Sequence, residues 1–148
     1  MTGTTLSLDI DSATAPLLDL LTDLGQRATN LGPAWQEVGD YLRDVTDQRF
    51  QLHVGPDNTP WDALDPKYQR RKKKNQDRIL VLDGYLVESF HHEITDGGLG
   101  LDYGSNLVYA ATHHFGREDD GIPARPILGI DAANQTEILD ILQGHLID

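Results

Sequence analysis

Apolar and polar residues alternate at the start of the chain and then recur at helical spacing. The alternation over residues 4–11 predicts a strand with one buried face. Residues 14–31 carry leucines at a 3.6-residue period behind a capping threonine, which predicts a helix that ends at Gly32-Pro33. The same period returns over residues 35–52, so the two apolar stripes together predict a helical hairpin.

The apolar pattern stops between His53 and Ile79, where three prolines, a glycine and a basic run take its place. Connections longer than roughly 12–15 residues without regular structure are usually functional or disordered. We therefore expect residues 53–78 to form a protruding or flexible arm. This arm would hold at most one short helix and become ordered against a partner.

A β-hairpin is predicted in the second half of the chain. Residues 91–95 and 99–103 flank Asp96-Gly97-Gly98, whose glycines permit the positive φ angles of a hairpin turn. A short helix over residues 83–90 is expected to precede the first of these strands.

Two helices and one further strand complete the predicted elements. Asn106 is in position to cap a helix over residues 107–115, which a glycine ends. Residues 127–130 form a candidate strand, and the apolar stripe over residues 138–146 predicts the last helix. The fold class is therefore α+β, with a small, mostly antiparallel sheet packed against helices in a single domain over residues 1–148.

Charge is divided unevenly between the arm and the rest of the chain. The chain carries a net charge of −12, but residues 67–78 hold seven of its twelve basic residues and one acidic residue. This segment therefore sums to +6 and the remainder to −18, which argues against a broad nucleic-acid-binding surface. The basic run is a solvated helix face, a contact for an acidic protein surface or a local DNA contact, and the sequence leaves all three open.

No arrangement of reactive residues points to catalysis or to a cofactor. The chain lacks cysteine and has no P-loop, GxGxxG, GxSxG or EF-hand pattern. Neither His91-His92 nor His113-His114 readily chelates one ion, because neighbours point to opposite faces of a strand or about 100° apart on a helix. We predict no catalytic, cofactor or metal site, and we interpret His113 as a packed structural residue. A small His-dependent metal hydrolase is the less favoured alternative.

Three phrases resemble, in the same order, the phage virion morphogenesis or tail-completion family. Residues 61–68 follow WxxLxPxY, and residues 83–89 follow DGxLxxS. The most specific block reads YAATHHFG at residues 109–116 and IPARPILGI at residues 122–130. The resemblance covers roughly residues 55–147.

The chain departs from the family pattern at two places. It has Asp83-Gly84 where relatives commonly have Thr-Gly, and His113-His114 where they commonly have His-Gln. Backbone character changes little at either place, so the implied fold is unaffected, and no side-chain role is transferred to these positions.

The resemblance implies a structural, non-enzymatic task in building the virus particle. A protein of this kind completes the tail and helps join it to the head through a homo-oligomeric ring such as a hexamer. Tail tube and head–tail connector proteins are the implied neighbours, and DNA is expected to pass through the acidic lumen without specific binding. A connector or neck adaptor that contacts DNA through the basic arm is the alternative.

The expected location follows from the same resemblance and from the lack of export signals. The N-terminus has neither the basic nor the apolar region of a signal peptide, and no apolar run is long enough to span a membrane. We therefore expect assembly in the cytoplasm of the bacterial host, from a phage or a prophage gene, with the product in the virion and no membrane contact.

Expected contact residues lie on the arm and on one loop. Arg125 precedes a proline and presents its guanidinium from an extended segment, either to a partner or as an internal staple of its loop. Trp61 likewise either anchors the arm on a partner or folds back on its own core. The expected contact residues are Trp61, Leu64, Tyr68, Arg70, Arg71, Lys72, Lys73, Lys74 and Arg125.

Overall fold

A computed structural model describes residues 6–9, 19 and 31–147, and these residues form an α+β fold, as predicted. The helix predicted over residues 14–31, and with it the hairpin that it would form, lies outside the described residues apart from residues 19 and 31. The described strands and helices are β1 (Leu6–Asp9), α1 (Gly32–Leu52), α2 (Pro66–Arg71), α3 (Tyr85–Glu88), β2 (His91–Thr95), β3 (Gly100–Ser105), α4 (Val108–Phe115) and α5 (Ala132–Ile147).

The described strands form one antiparallel sheet in the order β1-β3-β2. β3 lies in the centre, with Leu6 of β1 opposite Ser105 and His91 of β2 opposite Gly104. β2 and β3 are joined by a turn in which Gly97 and Gly98 have φ angles of 65° and 99°. The predicted strand at the N-terminus and the predicted hairpin are therefore confirmed.

A core of apolar and aromatic side chains lies between the sheet and the helices. α1 contributes Trp35 and Phe50, and α5 contributes Ile138 and Leu142, all of them fully buried. The Phe50 ring stands edge-on to the Trp61 ring, with 5.3 Å between their centroids. This contact brings the arm into the core, because Trp61 is only 6% exposed. The arm is therefore packed against the fold over its first half and does not protrude there, which corrects the expectation.

The 127–130 segment is not a strand, and this prediction was wrong. The carbonyl groups of Ile127 and Gly129 accept hydrogen bonds from the Arg49 guanidinium at 2.8 and 3.0 Å. The Ile127 amide donates to the Nδ1 atom of His114 at 3.0 Å. Side chains therefore satisfy the buried backbone groups that would otherwise need a neighbouring strand.

Two further boundaries differ from the prediction. Asn106 does not cap α4, since the hydroxyl oxygen of Ser105 accepts the Leu107 amide hydrogen at 3.1 Å and orders the chain before the helix. The helix predicted over residues 83–90 is only the single turn of α3. The predicted helices α1, α4 and α5 and the short helix α2 within the arm are confirmed.

Candidate assembly surface

Two of the recognisable motifs contact each other inside the subunit. The indole nitrogen of Trp61 donates to the Pro126 carbonyl at 2.7 Å. Arg125 returns the contact, because its Nε and Nη2 atoms donate to the carbonyls of Asp62 and Ala63 at 2.9 and 3.0 Å. The WxxLxPxY and IPARPILGI segments therefore form one clamp that holds the start of the arm on the 122–130 loop.

The clamp corrects two of the expected contact residues. Arg125 is 6% exposed and Trp61 is equally buried, so neither side chain is on the surface of the subunit. Burial lowers the pKa of Arg125, and the nearby Asp62 carboxylate acts in the opposite direction. The guanidinium acts as the internal staple that the sequence left open as an alternative, although it bonds to backbone carbonyls and forms no ion pair among the described residues.

Lys72 is also internal, in contrast to the expectation for the basic run. Its side chain is buried, and its ammonium group donates to the carbonyls of Asn75 and Arg78. Burial lowers the pKa of Lys72, whereas Asp77 raises it. The lysine therefore closes the loop that follows α2 and is not available to a partner.

The other basic residues of the arm remain on the surface. α2 begins behind Asp65, whose carboxylate accepts the amide hydrogens of Lys67 and Tyr68 at 2.7 and 3.3 Å. The exposed cations on and after this helix are Lys67, Arg70, Arg71, Lys73 and Lys74. This capped helix therefore fixes the positions of two of the expected contact cations, Arg70 and Arg71, and Lys73 and Lys74 follow it.

A groove of about 660 Å³ lies beside α2. Its walls come from four separate segments, namely α2, residues 80–86, α4 and residues 120–125. Five of the expected contact residues line it: Leu64, Tyr68, Arg71, Lys72 and Arg125. The remaining rim is formed by large side chains that the sequence analysis did not single out: Leu82, Tyr85 and Tyr109.

Charge inside this groove is mostly basic once the internal ion pairs are considered. Asp83 is paired with Lys74 at 3.0 Å, and Asp120 is paired with Arg117 at 3.1 Å. Lys67 and Arg71 form no ion pair within the described part of the chain, and the ammonium of Lys72 and the guanidinium of Arg125 are bonded to backbone carbonyls. The third lining carboxylate, Asp65, accepts the backbone amides at the start of α2. The groove is thus basic on balance and offers two exposed cations to a partner.

The two adjacent histidines of α4 have different surroundings. His114 accepts backbone amide hydrogens on Nδ1, whereas the buried Nδ1 atom of His113 has no hydrogen-bond partner in the subunit. Burial lowers the pKa of both rings, and the positive charge of Arg125 lowers that of His113 further. Both rings are therefore neutral and structural near pH 7, and His113 packs against the Tyr109 ring in the groove.

Two further kinds of site, a cluster of metal-ligating side chains and a membrane-spanning helix, are absent from the described residues. Over the described residues, no group of three or more histidine, aspartate or glutamate side chains is arranged to hold a metal ion. None of the described helices is both long and apolar enough to cross a membrane.

Comparison with known proteins identifies the family. Residues 12–147 match the phage virion morphogenesis family, and the chain belongs to it. An uncharacterized protein of Methanocaldococcus jannaschii is 36% identical over 96 residues, which cover 62% of this chain and 71% of that protein. No solved structure matches the chain.

Two further relatives come from Mu and a Mu-like prophage. The "Putative capsid assembly protein G" of Escherichia phage Mu is 32% identical over 115 residues, or 69% of this chain and 70% of the relative. The Mu-like prophage FluMu G protein 1 of Haemophilus influenzae is 30% identical over 118 residues, or 75% and 76% of the two chains. The protein accordingly has a role in phage virion assembly.

Proposed function

We propose that this protein completes the phage tail and supports head–tail joining as a homo-oligomeric ring. The match to the virion morphogenesis family over residues 12–147 carries the proposal. The surface is consistent with assembly, because the large side chains of Leu82, Tyr85 and Tyr109 are exposed in the lining of one groove. Exposed apolar surface that is grouped in this way is typical of protein–protein contact.

The proposed ring uses a rigid subunit with an uneven charge. The clamp around Trp61 and Arg125 fixes the chain three residues before α2, so the cations of the arm follow a fixed support. The rest of the chain carries the net charge of −18, which makes sister subunits and other acidic virion proteins suitable partners. In this proposal the ring contacts the tail tube and the connector, and its acidic lumen lets DNA pass without binding it.

Deletion of the gene from the phage or prophage that carries it tests this function. We expect infectious yield to fall by orders of magnitude, and electron microscopy of the lysate to show unjoined heads beside incomplete tails. The gene supplied in trans should restore joined particles, and the restored protein should co-sediment with them. Normal particles in normal yield without the gene would refute the proposal.

A neck adaptor that contacts DNA is the second candidate, because four unpaired cations lie together on the arm. Lys67, Arg70, Arg71 and Lys73 are exposed and form no ion pair among the described residues. Phosphate contacts make duplex affinity fall steeply with salt. A gel shift of duplex DNA that weakens with added salt and with Lys73→Glu would favour the adaptor. Phosphate contacts are strong at about 50 mM salt, so the absence of a shift there would exclude the adaptor.

A further inference from the structure

We propose that the groove beside α2 receives the acidic outer stripe of α1 from a second copy of this chain, so that subunits join head to tail. This inference rests on the proposed ring and specifies which two surfaces form it. It differs from the sequence-based expectation, in which Trp61 and Arg125 were contact residues.

The lining of the groove is of the kind found at protein contacts. The groove has a volume of about 660 Å³, and large aromatic side chains lie on its rim. Tyr85 and Tyr109 are 67% and 43% exposed, which leaves both rings largely uncovered in the isolated subunit. Tyrosine is enriched in interfaces because its ring buries a large area while the hydroxyl keeps a polar contact.

The charge of the groove indicates the kind of surface that covers it. Lys67 and Arg71 are the exposed groove cations without an ion pair among the described residues, whereas Lys72 and Arg125 are buried and bonded to backbone carbonyls. Asp83 and Asp120 are each paired already, and the remaining lining carboxylate, Asp65, accepts the backbone amides at the start of α2. A basic partner would leave these two cations facing like charge, which is unfavourable at an interface. An acidic surface is therefore the complementary occupant.

The outer side of α1 provides such a surface. Glu37, Asp40 and Asp44 follow one another at spacings of three and four residues, so they lie on one stripe of the helix. All three are exposed. Glu37 contacts the ring of His145 at 2.7 Å, whereas Asp40 and Asp44 form no ion pair within the described residues. Leu52, at the end of the same helix and about 80° around it from Asp44, is 66% exposed and offers an apolar contact beside the stripe.

A contact between these surfaces joins copies in one direction. The groove and the stripe share no residue, so a subunit that offers its stripe to one neighbour can still accept the stripe of another. Heterologous contacts of this kind close into rings when the rotation permits and otherwise extend as filaments. The proposed function requires the closed form.

Charge reversal on each surface tests the pairing. Purified Arg71→Glu and Asp44→Arg chains are compared with the wild type by light scattering over a range of concentrations. We expect each variant to lower the self-association constant at least about tenfold, which corresponds to about 1.4 kcal/mol. Tyr85→Ser should weaken association without reversing a charge, because it removes an aromatic ring from the groove. The ring is 67% exposed in the subunit, so its loss should affect folding little.

An equimolar mixture of Arg71→Glu and Asp44→Arg gives the decisive result. In the mixture each groove meets a stripe of opposite charge, so we expect association to recover toward the wild-type value. Glu93→Arg is the matched control, since Glu93 is exposed and lies in neither the groove nor the stripe. Thermal unfolding of every variant at its monomer concentration confirms that the chains are folded.

Several results would overturn the inference. It is overturned if Arg71→Glu and Tyr85→Ser associate as strongly as the wild type. It is also overturned if a control variant weakens association equally, or if the mixture does not recover association. A wild-type protein that stays monomeric at all concentrations would also overturn it. So would a groove variant that associates normally but fails to restore phage particles, because the occupant of the groove would then be another virion protein. The gene-deletion experiment decides the proposed function separately.

Discussion

Replacement of Arg125 by methionine tests whether the most specific motif of the chain acts within the subunit. Methionine keeps much of the aliphatic packing of the arginine and removes its guanidinium. In the structure that group is buried and donates to the carbonyls of Asp62 and Ala63 at 2.9 and 3.0 Å. The substitution therefore removes both bonds between the 122–130 loop and the arm backbone after Trp61.

The size of the effect follows from these two bonds. A buried acceptor that loses its donor costs about 1–3 kcal/mol. Asp62 and Ala63 are themselves exposed, so water can reach part of their backbone, and the lower half of that range applies. Two bonds at about 1–2 kcal/mol each give an expected loss of about 2–4 kcal/mol in the free energy of unfolding. For a chain of this size the corresponding fall in Tm is about 4–16 °C.

Chemical denaturation at a concentration where the protein is monomeric measures this loss. Arg70→Met is the matched control, because Arg70 is exposed and makes no side-chain bond among the described residues, and it should stay within about 0.5 kcal/mol of the wild type. If Arg125→Met changed stability by less than about 1 kcal/mol and lowered only self-association, Arg125 would be an interface residue and our interpretation of the clamp would be refuted.

Three other expectations follow from the same structure. Gly116→Ala should cost about 3 kcal/mol or more, because Gly116 has a φ of 76° with a ψ of 172° and a Cβ there would lie 2.6 Å from a backbone nitrogen. Gly121 has a φ of 67°, but an added Cβ there would have no atom within 4 Å, so Gly121→Ala should cost only about 1–2 kcal/mol. Equal losses of stability for the two variants in urea titrations would contradict this difference. Trp61→Phe keeps an aromatic ring but loses the hydrogen bond to the Pro126 carbonyl, so the free energy of unfolding should fall by about 1–3 kcal/mol. An unchanged midpoint of urea unfolding would count against the clamp. Burial lowers the pKa values of His113 and His114 from 6.5, so the unfolded chain binds protons first as the pH falls. Stability should therefore be complete above about pH 7.5 and decrease below pH 6.5 by up to about 1.4 kcal/mol per unit for each ring, which a flat profile between pH 7 and 5.5 would exclude.

Periodic segments were predictable from the sequence because their structure depends on local pattern. The stripe in α1 and the stripe in α5 each present one apolar side to the core, and both helices are found where that stripe lies. The hairpin between β2 and β3 was equally clear, since glycine permits the positive φ angles of its turn. These elements carry their information within about ten to twenty consecutive residues.

Other parts of the fold depend on contacts that no local pattern records. Residues 127–130 look like a strand, but Arg49 reaches their carbonyls from 78 to 80 residues away along the chain. The role of Arg125 was open for the same reason, because its partners lie on the arm. An arginine followed by a proline in a short apolar segment is compatible with either role.

The groove could not be predicted because four distant segments form it. Leu64, Tyr68 and Arg71 were expected to make contacts, and the structure places all three in the groove lining. Tyr85 and Tyr109 were missed, although each lies inside a motif that the resemblance identified. A large aromatic residue at a solvent-facing position within such a motif was the available signal.

The packing of the arm changes the energetics of any association that uses it. A flexible arm would lose about 1–2 kcal/mol of conformational entropy for each residue that became fixed on a partner. Hydrogen bonds within the subunit already order the chain on both sides of α2, from Trp61 before it and from Lys72 after it, so that cost belongs to folding. Binding by a preorganised surface can then begin with long-range charge attraction, and its rate should decrease as salt screens the cations.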